Sequence, residues 1–161
     1  MNVLCIGAGR EQCYAIKKAQ KLGLTVIAID QDPDAEGLKI ADIGIPQDIK
    51  EADEVIDVAQ QYNIRAIIPA PIGKYLTVIG AVNDALGLKG ISYEASVNCT
   101  DKVKCTEILQ NHLISCAKQV LCKNREEVKQ ATEELGLPCI LKPRMGSGSR
   151  GVVSILNEKD M

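Results

Sequence analysis

Apolar residues fall in short unbroken runs separated by longer amphipathic stretches, and this rhythm sets the expected elements. Val3-Leu-Cys-Ile6 reads as a buried strand, then Gly7-Ala-Gly-Arg-Glu-Gln12 as a turn, then a helical pattern through about Leu22 that Gly23 stops. Leu24-Thr-Val-Ile-Ala-Ile29 is a second strand closing on Asp30, so the first thirty residues make one right-handed strand-helix-strand crossover. Asp42-Ile-Gly-Ile-Pro46 gives a third strand, residues 51–62 an amphipathic helix, and Arg65-Ala-Ile-Ile-Pro69 a fourth strand. A helix over 72–86, ended near Gly87, and a last short strand Gly90-Ile-Ser92 complete the unit. Runs that are apolar throughout, without alternation, belong to strands covered on both faces. Residues 1–93 are therefore expected to form an α/β, Rossmann-like, doubly wound parallel sheet.

After residue 93 the order changes. A helix runs from Thr100 to about Asn111, followed by a strand around Ser115–Cys122, a charged helix over 125–135 and strand Cys139-Ile-Leu-Lys142. Val152-Val-Ser-Ile-Leu156 reads as a strand hairpinned against 139–142 across a glycine-rich loop, and residues 157–161 begin another element. Residues 94–161 thus read as the start of an α+β domain that is incomplete. No internal repeat or low-complexity linker separates the two parts.

Composition sharpens this picture. Phe and Trp are absent and only 4 Tyr occur, so the core is built from aliphatic side chains. A formal charge of −2 without a long basic run argues against nucleic acid as a partner. Cysteines at 5, 13, 99, 105, 116, 122 and 139, beside a single histidine, fit neither a disulfide framework nor a zinc site. They are expected to be small buried hydrophobes in a reducing compartment. With no signal-peptide pattern at the start and no membrane-spanning run, the expected location is the cytoplasm, without membrane contact. Homo-oligomerisation is left open by the sequence.

Two glycine-bearing segments are candidates for chemistry. In the first, Gly7 and Gly9 follow a strand and bring a helix amino terminus toward a ligand, with Asp30 where a ribose-binding carboxylate would sit. Dinucleotide binding needs a third small residue, and Gln12 stands in its place. A carboxylate or other anionic substrate touching Gly9, Arg10 and Glu11 remains an option. In the second, a strand delivers Lys142 to the loop Met145-Gly146-Ser147-Gly148-Ser149-Arg150-Gly151. Lysine supplies a point charge for phosphate oxygens, and three glycines allow close backbone approach and positive φ. This is not a Walker loop, since the lysine precedes the glycines and a strand follows them. His112, the lone histidine, falls at a helix end away from this loop and is read as structural or solvated.

The stretch Leu135-Gly-Leu-Pro-Cys-Ile-Leu-Lys-Pro-Arg-Met-Gly-Ser-Gly-Ser-Arg-Gly-Val152 resembles the phosphate-loop signature of ATP-grasp ligases. Thr100-Asp101-Lys102 resembles the Asp-Lys pair at a helix start in the biotin-carboxylase-like and carbamoyl-phosphate-synthase-like members, and residues 1–93 resemble their pre-ATP-grasp domain. The chain departs from the family at His112-Leu-Ile-Ser-Cys-Ala117, where a Gly-Ile/Val-Pro stretch is usual. The resemblance implies that Lys102 and Lys142 contact ATP phosphates, that Gly146–Gly151 fold over the β- and γ-phosphates, and that Arg150 closes on them. It implies ATP and Mg2+, with the metal ligands beyond residue 161. It also implies a parent ligase that activates a carboxylate as an acyl phosphate for attack by an amine or similar nucleophile. The alternatives are a non-catalytic nucleotide- or ligand-binding module and an NAD-binding domain.

Overall fold

In a computed structural model, residues 1–68 and 73–160 are described. The chain divides into two compact units, Met1–Val97 and Asn98–Met161.

The first unit opens with strand β1 (Asn2–Ile6), helix α1 (Cys13–Lys21) and strand β2 (Thr25–Asp30). It continues through α2 (Glu36–Ile40), β3 (Ile43–Pro46), α3 (Ala52–Gln61) and β4 (Ala66–Ile67). A short 3-10 turn (Gly73–Tyr75) leads into α4 (Leu76–Leu86). The strands are all parallel, in the order β3-β2-β1-β4.

Side-chain parity along these strands explains why their runs are apolar throughout. Leu4, Ile6, Ile27 and Ile29 face a layer made by Val55, Val58 and Ala59 of α3 and Val78, Ile79 and Val82 of α4. Their neighbours Val3, Cys5, Val26 and Ala28 face the opposite side, against Ile16 and Ala19 of α1 and Leu38 of α2. Each fully buried aliphatic side chain contributes roughly 1.5–3 kcal/mol, so two covered faces hold the sheet. The chain winds outward through β1, β2 and β3, then returns to the other side of β1 as β4. The reversal puts a topological switch between β1 and β4, and ligands of such sheets bind outside the carboxyl ends at that point.

Four sequence expectations need correction in detail. Gly90-Ile-Ser92 is not a strand: Asn83 Nδ2 donates to Ile91 O at 2.9 Å, and Ser92 Oγ accepts from Ala95 N at 3.1 Å. Ser92 instead caps an unanticipated helix, α5 (Tyr93–Thr100). Gly80 permits that approach, because a Cβ there would stand 2.6 Å from Ser92 O. Helix α2 was also not foreseen, since five residues are too few to display a period. β4 covers only Ala66–Ile67, with Ile68 N still donating to Leu4 O at 2.8 Å, and Pro69 of the expected strand lies outside the described residues.

The second unit holds α6 (Lys102–Asn111), α7 (Arg125–Leu135) and the antiparallel hairpin β5 (Cys139–Leu141) with β6 (Val153–Ile155). A 3-10 turn, Glu158–Asp160, follows. The expected strand 115–122 is absent. The segment has apolar residues but pairs with no strand among the described residues, and strand identity needs a ladder partner.

Of the seven free cysteines only Cys5 is buried. Cys99 is exposed and the other five are half-buried, so the expectation of buried cysteines holds for one of them. His112 is exposed, with Nδ1 2.9 Å from Ile108 O.

Candidate functional site

The turn after β1 is pinned from several directions. Gly7 N donates to Ile29 O at 2.8 Å, and Ala8 N donates to Asp30 Oδ2 at 2.7 Å. Asp30 Oδ1 accepts from Asp32 N at 3.0 Å, so each carboxylate oxygen holds a backbone amide. From α2, Gly37 N donates to Ala8 O at 2.7 Å, and a Cβ on Gly37 would meet that oxygen at 2.5 Å. The thiols of Cys5 and Cys13 donate to Gly7 O and Gly9 O at 3.2 and 3.5 Å. Burial, reinforced by Cys13 and Asp30, pushes the Cys5 thiol up to about 12, which keeps it protonated.

Gln12 is buried beside the turn, with its Oε1 3.3 Å from where a Gly9 Cβ would be. Each oxygen of the half-buried Asp30 carboxylate already holds one backbone amide, so the side chain is fixed in orientation beside the turn. Arg10 and Glu11 are exposed at the tip and Gly9 is half-buried.

The loop after β5 is built differently. Lys142 leaves the strand end exposed, and it makes no hydrogen bond or ion pair among the described residues. From Lys142 to Ser154 every residue is exposed. Gly146, Gly148 and Gly151 have φ of 123, 68 and 74°, and Ser149 has 55°. Positive φ at the glycines is free of the Cβ penalty, which is why the loop needs them. One backbone hydrogen bond, Val152 N donating to Ser149 O at 3.3 Å, closes its distal end. A Cβ on Gly151 would stand 3.0 Å from Pro143 Cγ, so the end of the loop returns over its start.

Arg144, which the sequence did not single out, fixes the near end. Its Nε donates to Asp101 Oδ1 and Oδ2 at 2.9 and 3.0 Å, and Nη2 donates to Oδ2 at 2.6 Å. Asp101 is the amino-terminal cap of α6, with Oδ1 also accepting from Val103 N at 3.0 Å and Lys104 N at 3.4 Å. The hydrogen bonds from Arg144, joined by those two amides and the guanidinium charge, hold the Asp101 carboxyl down to about 2. Arg144 is raised in turn by the carboxylate.

Lys102, next along, turns back to the loop. Its Nζ donates to Gly146 O at 3.0 Å and Arg144 O at 3.4 Å, and its amide donates to Arg144 O at 3.3 Å. Lys102 and the Met145–Gly151 loop are thus brought together. The sequence signal for Asp101 is the Asp-Lys resemblance at a helix start, with the cap one residue later than the expected helix start at Thr100; Arg144 gives none, because its partner lies 43 residues away.

No family model matches the chain. It is 27% identical over 169 residues to the formate-dependent phosphoribosylglycinamide formyltransferase of Methanococcus maripaludis, an alignment covering 99% of this chain and 42% of that enzyme. The enzyme of the same name from Methanocaldococcus jannaschii is 26% identical over 170 residues, covering 100% and 42%. The chain therefore spans 42% of the length of these curated relatives. Among solved structures, phosphoribosylglycinamide synthetase from Anaerococcus prevotii superposes with a TM-score of 0.69 at 28% identity, over 99% of this chain and 39% of that one. An ADP complex of N5-carboxyaminoimidazole synthetase from Staphylococcus aureus has the same fold, with a TM-score of 0.76 at 22% identity, covering 99% and 42%. In sequence and fold the chain resembles the amino-terminal portion of ATP-grasp ligases.

Proposed function

We propose that this chain is the amino-terminal part of an ATP-dependent ligase that activates a carboxylate as an acyl phosphate and passes the acyl group to an amine or related nucleophile. The observation that carries the reading is the exposed loop Met145–Gly151, with an unpaired Lys142 at its entrance and Lys102 against its backbone. Phosphoryl transfer is mainly charge neutralisation and alignment, and cations with backbone amides suit it. Lys142 would neutralise phosphate oxygens, the glycines would let amides close on them, and Arg150 would add a second cation from the far side of the loop. Folding of the loop would also exclude water.

ATP is the phosphoryl donor in this proposal, a reading consistent with the ADP and MgADP complexes of related folds. Among the described residues no three His, Cys, Asp or Glu side chains gather as a metal site, and the magnesium that the resemblance implies would be held by other residues. No described helix is long and apolar enough to cross a membrane. The relatives' names point to a phosphoribosyl-linked amine as the nucleophile. The exposed Arg10 and Glu11 beside Gly9 are proposed as its contact or that of the carboxylate.

The test is Lys142→Ala in the full-length protein, read by ATP-dependent acyl-phosphate trapping with hydroxylamine. Loss of a clamping charge lowers such rates by about 10²–10³. Activity equal to wild type would reject the assignment.

A further inference from the structure

The carbonyls that Lys102 holds decide which way the loop's amides face. In a planar trans peptide the C=O and N–H point in opposite directions. The 144–145 and 146–147 peptides both turn their oxygens toward Lys102, at 3.4 and 3.0 Å from Nζ. Their N–H groups, on Met145 and Ser147, therefore face away from Lys102 on the other side of the loop. Neither donates a hydrogen bond within the described chain. Two outward amides flanking Gly146 are the donors a phosphate oxygen needs.

The stem that carries these peptides is held by the Asp101–Arg144 fork. A bidentate guanidinium–carboxylate pair fixes orientation as well as distance. Asp101 is itself immobilised as the cap of α6, so the fork ties a mobile type of loop to a rigid helix end.

We propose that Asp101, Lys102 and Arg144 form a positioning device for the phosphate loop. Asp101 and Arg144 set the stem, and Lys102 rotates two peptides so that the Met145 and Ser147 amides are presented to a phosphate before it arrives. Lys102 thereby acts through the loop backbone, and Arg144 through Asp101. This deepens the proposed function and rests on it for the identity of the ligand.

The variants Asp101→Asn and Arg144→Gln separate the device from folding, since Asn caps a helix about as well as Asp and Arg144 caps nothing. In the 161-residue chain, 15N relaxation should show Met145–Gly148 falling from ordered values to order parameters below about 0.6 in both variants and in Lys102→Gln. Shifts from β1–β4 should stay fixed in each. In the full-length protein, ADP affinity should fall about tenfold in either fork variant and no further in the double variant. Unchanged loop order, or a double variant losing the product of the two single losses, would overturn the proposal. Should wild type bind no ADP, the ligase reading fails while the relaxation measurement still decides the device. Should Asp101→Asn not fold, Arg144→Gln decides it alone.

Discussion

The chain contains two glycine-bearing connections that follow a strand, and they differ in what their backbone groups are bonded to. At Gly7–Gln12 the carboxylate of Asp30 takes the Ala8 amide, while the amide of Gly37 and two thiols take the carbonyls of Ala8, Gly7 and Gly9. At Met145–Gly151 the backbone is exposed and its carbonyls are held from one side by Lys102. Glycine serves close packing in the first and conformational reach in the second. Among the described residues the amides of Gly9, Arg10 and Glu11 in the first connection and of Met145 and Ser147 in the second all donate no hydrogen bond, so the two are separated by burial and by how their carbonyls are held, and not by open amides.

Gly37→Ala probes the packed turn most severely. Its Cβ would lie 2.5 Å from Ala8 O and 2.9 Å from Ala8 Cα, backbone that cannot move without shifting β1. Overpacking of this kind should cost about 3 kcal/mol in urea unfolding, leaving the second unit's loop order untouched. A loss of under 0.5 kcal/mol, by the order of a surface change, would mean the turn yields.

In the open loop the same type of change should act on ligand binding. A Cβ on Gly148 meets nothing nearer than Arg150 Nε at 4.0 Å, but its φ of 68° is costly for alanine. Gly148→Ala should lower nucleotide affinity in the full-length protein by about tenfold, the equivalent of roughly 1–2 kcal/mol for a left-handed residue. Urea stability should not change, because the unpacked loop can relax. Equal losses in stability and affinity would erase the contrast between the two connections.

The pH dependence of the loop's anchor has a defined sign. Asp101 is lowered to about 2 from an ordinary carboxylate value near ~3.9, so its contribution is complete above about pH 4. It is lost as pH falls through about 2. Loop order followed by NMR should thus be flat from pH 8 to about 4 and decline only below. A decline centred near pH 6 would assign the anchor to another group.

The smallest effect separates the cysteines. Iodoacetamide at pH 8 should modify the exposed Cys99 readily and leave Cys5, buried and raised to about 12, unlabelled until the chain unfolds. Labelling of Cys5 at the rate of Cys99 would show that the β1 turn opens.

Local pattern was informative where a segment's neighbours only had to be apolar. Strands β1, β2 and β3 and helices α1, α3 and α7 follow from runs and periods, and the stops at Gly23 and Gly87 from glycine, both with positive φ. Helix α5 is not legible in the sequence because Ser92 closes an apolar run; its capping role depends on the bond from Ala95 N and on the close pass at Gly80. The 115–122 segment differs for the opposite reason, since its apolar residues suggest a strand but no strand among the described residues pairs with it.

The sequence by itself determined the doubly wound sheet, the hairpin and the presence of Lys142 before a glycine loop, because these depend on hydrophobic period and on glycine's backbone freedom. Only the tertiary structure decided which glycines are spent on packing and which amides stay open. It also decided that Arg144, unremarkable in its local context, is paired with Asp101. Hydrogen-bond partners 22 or 43 residues apart leave no periodic trace in the chain, and they are what hold each turn in its conformation.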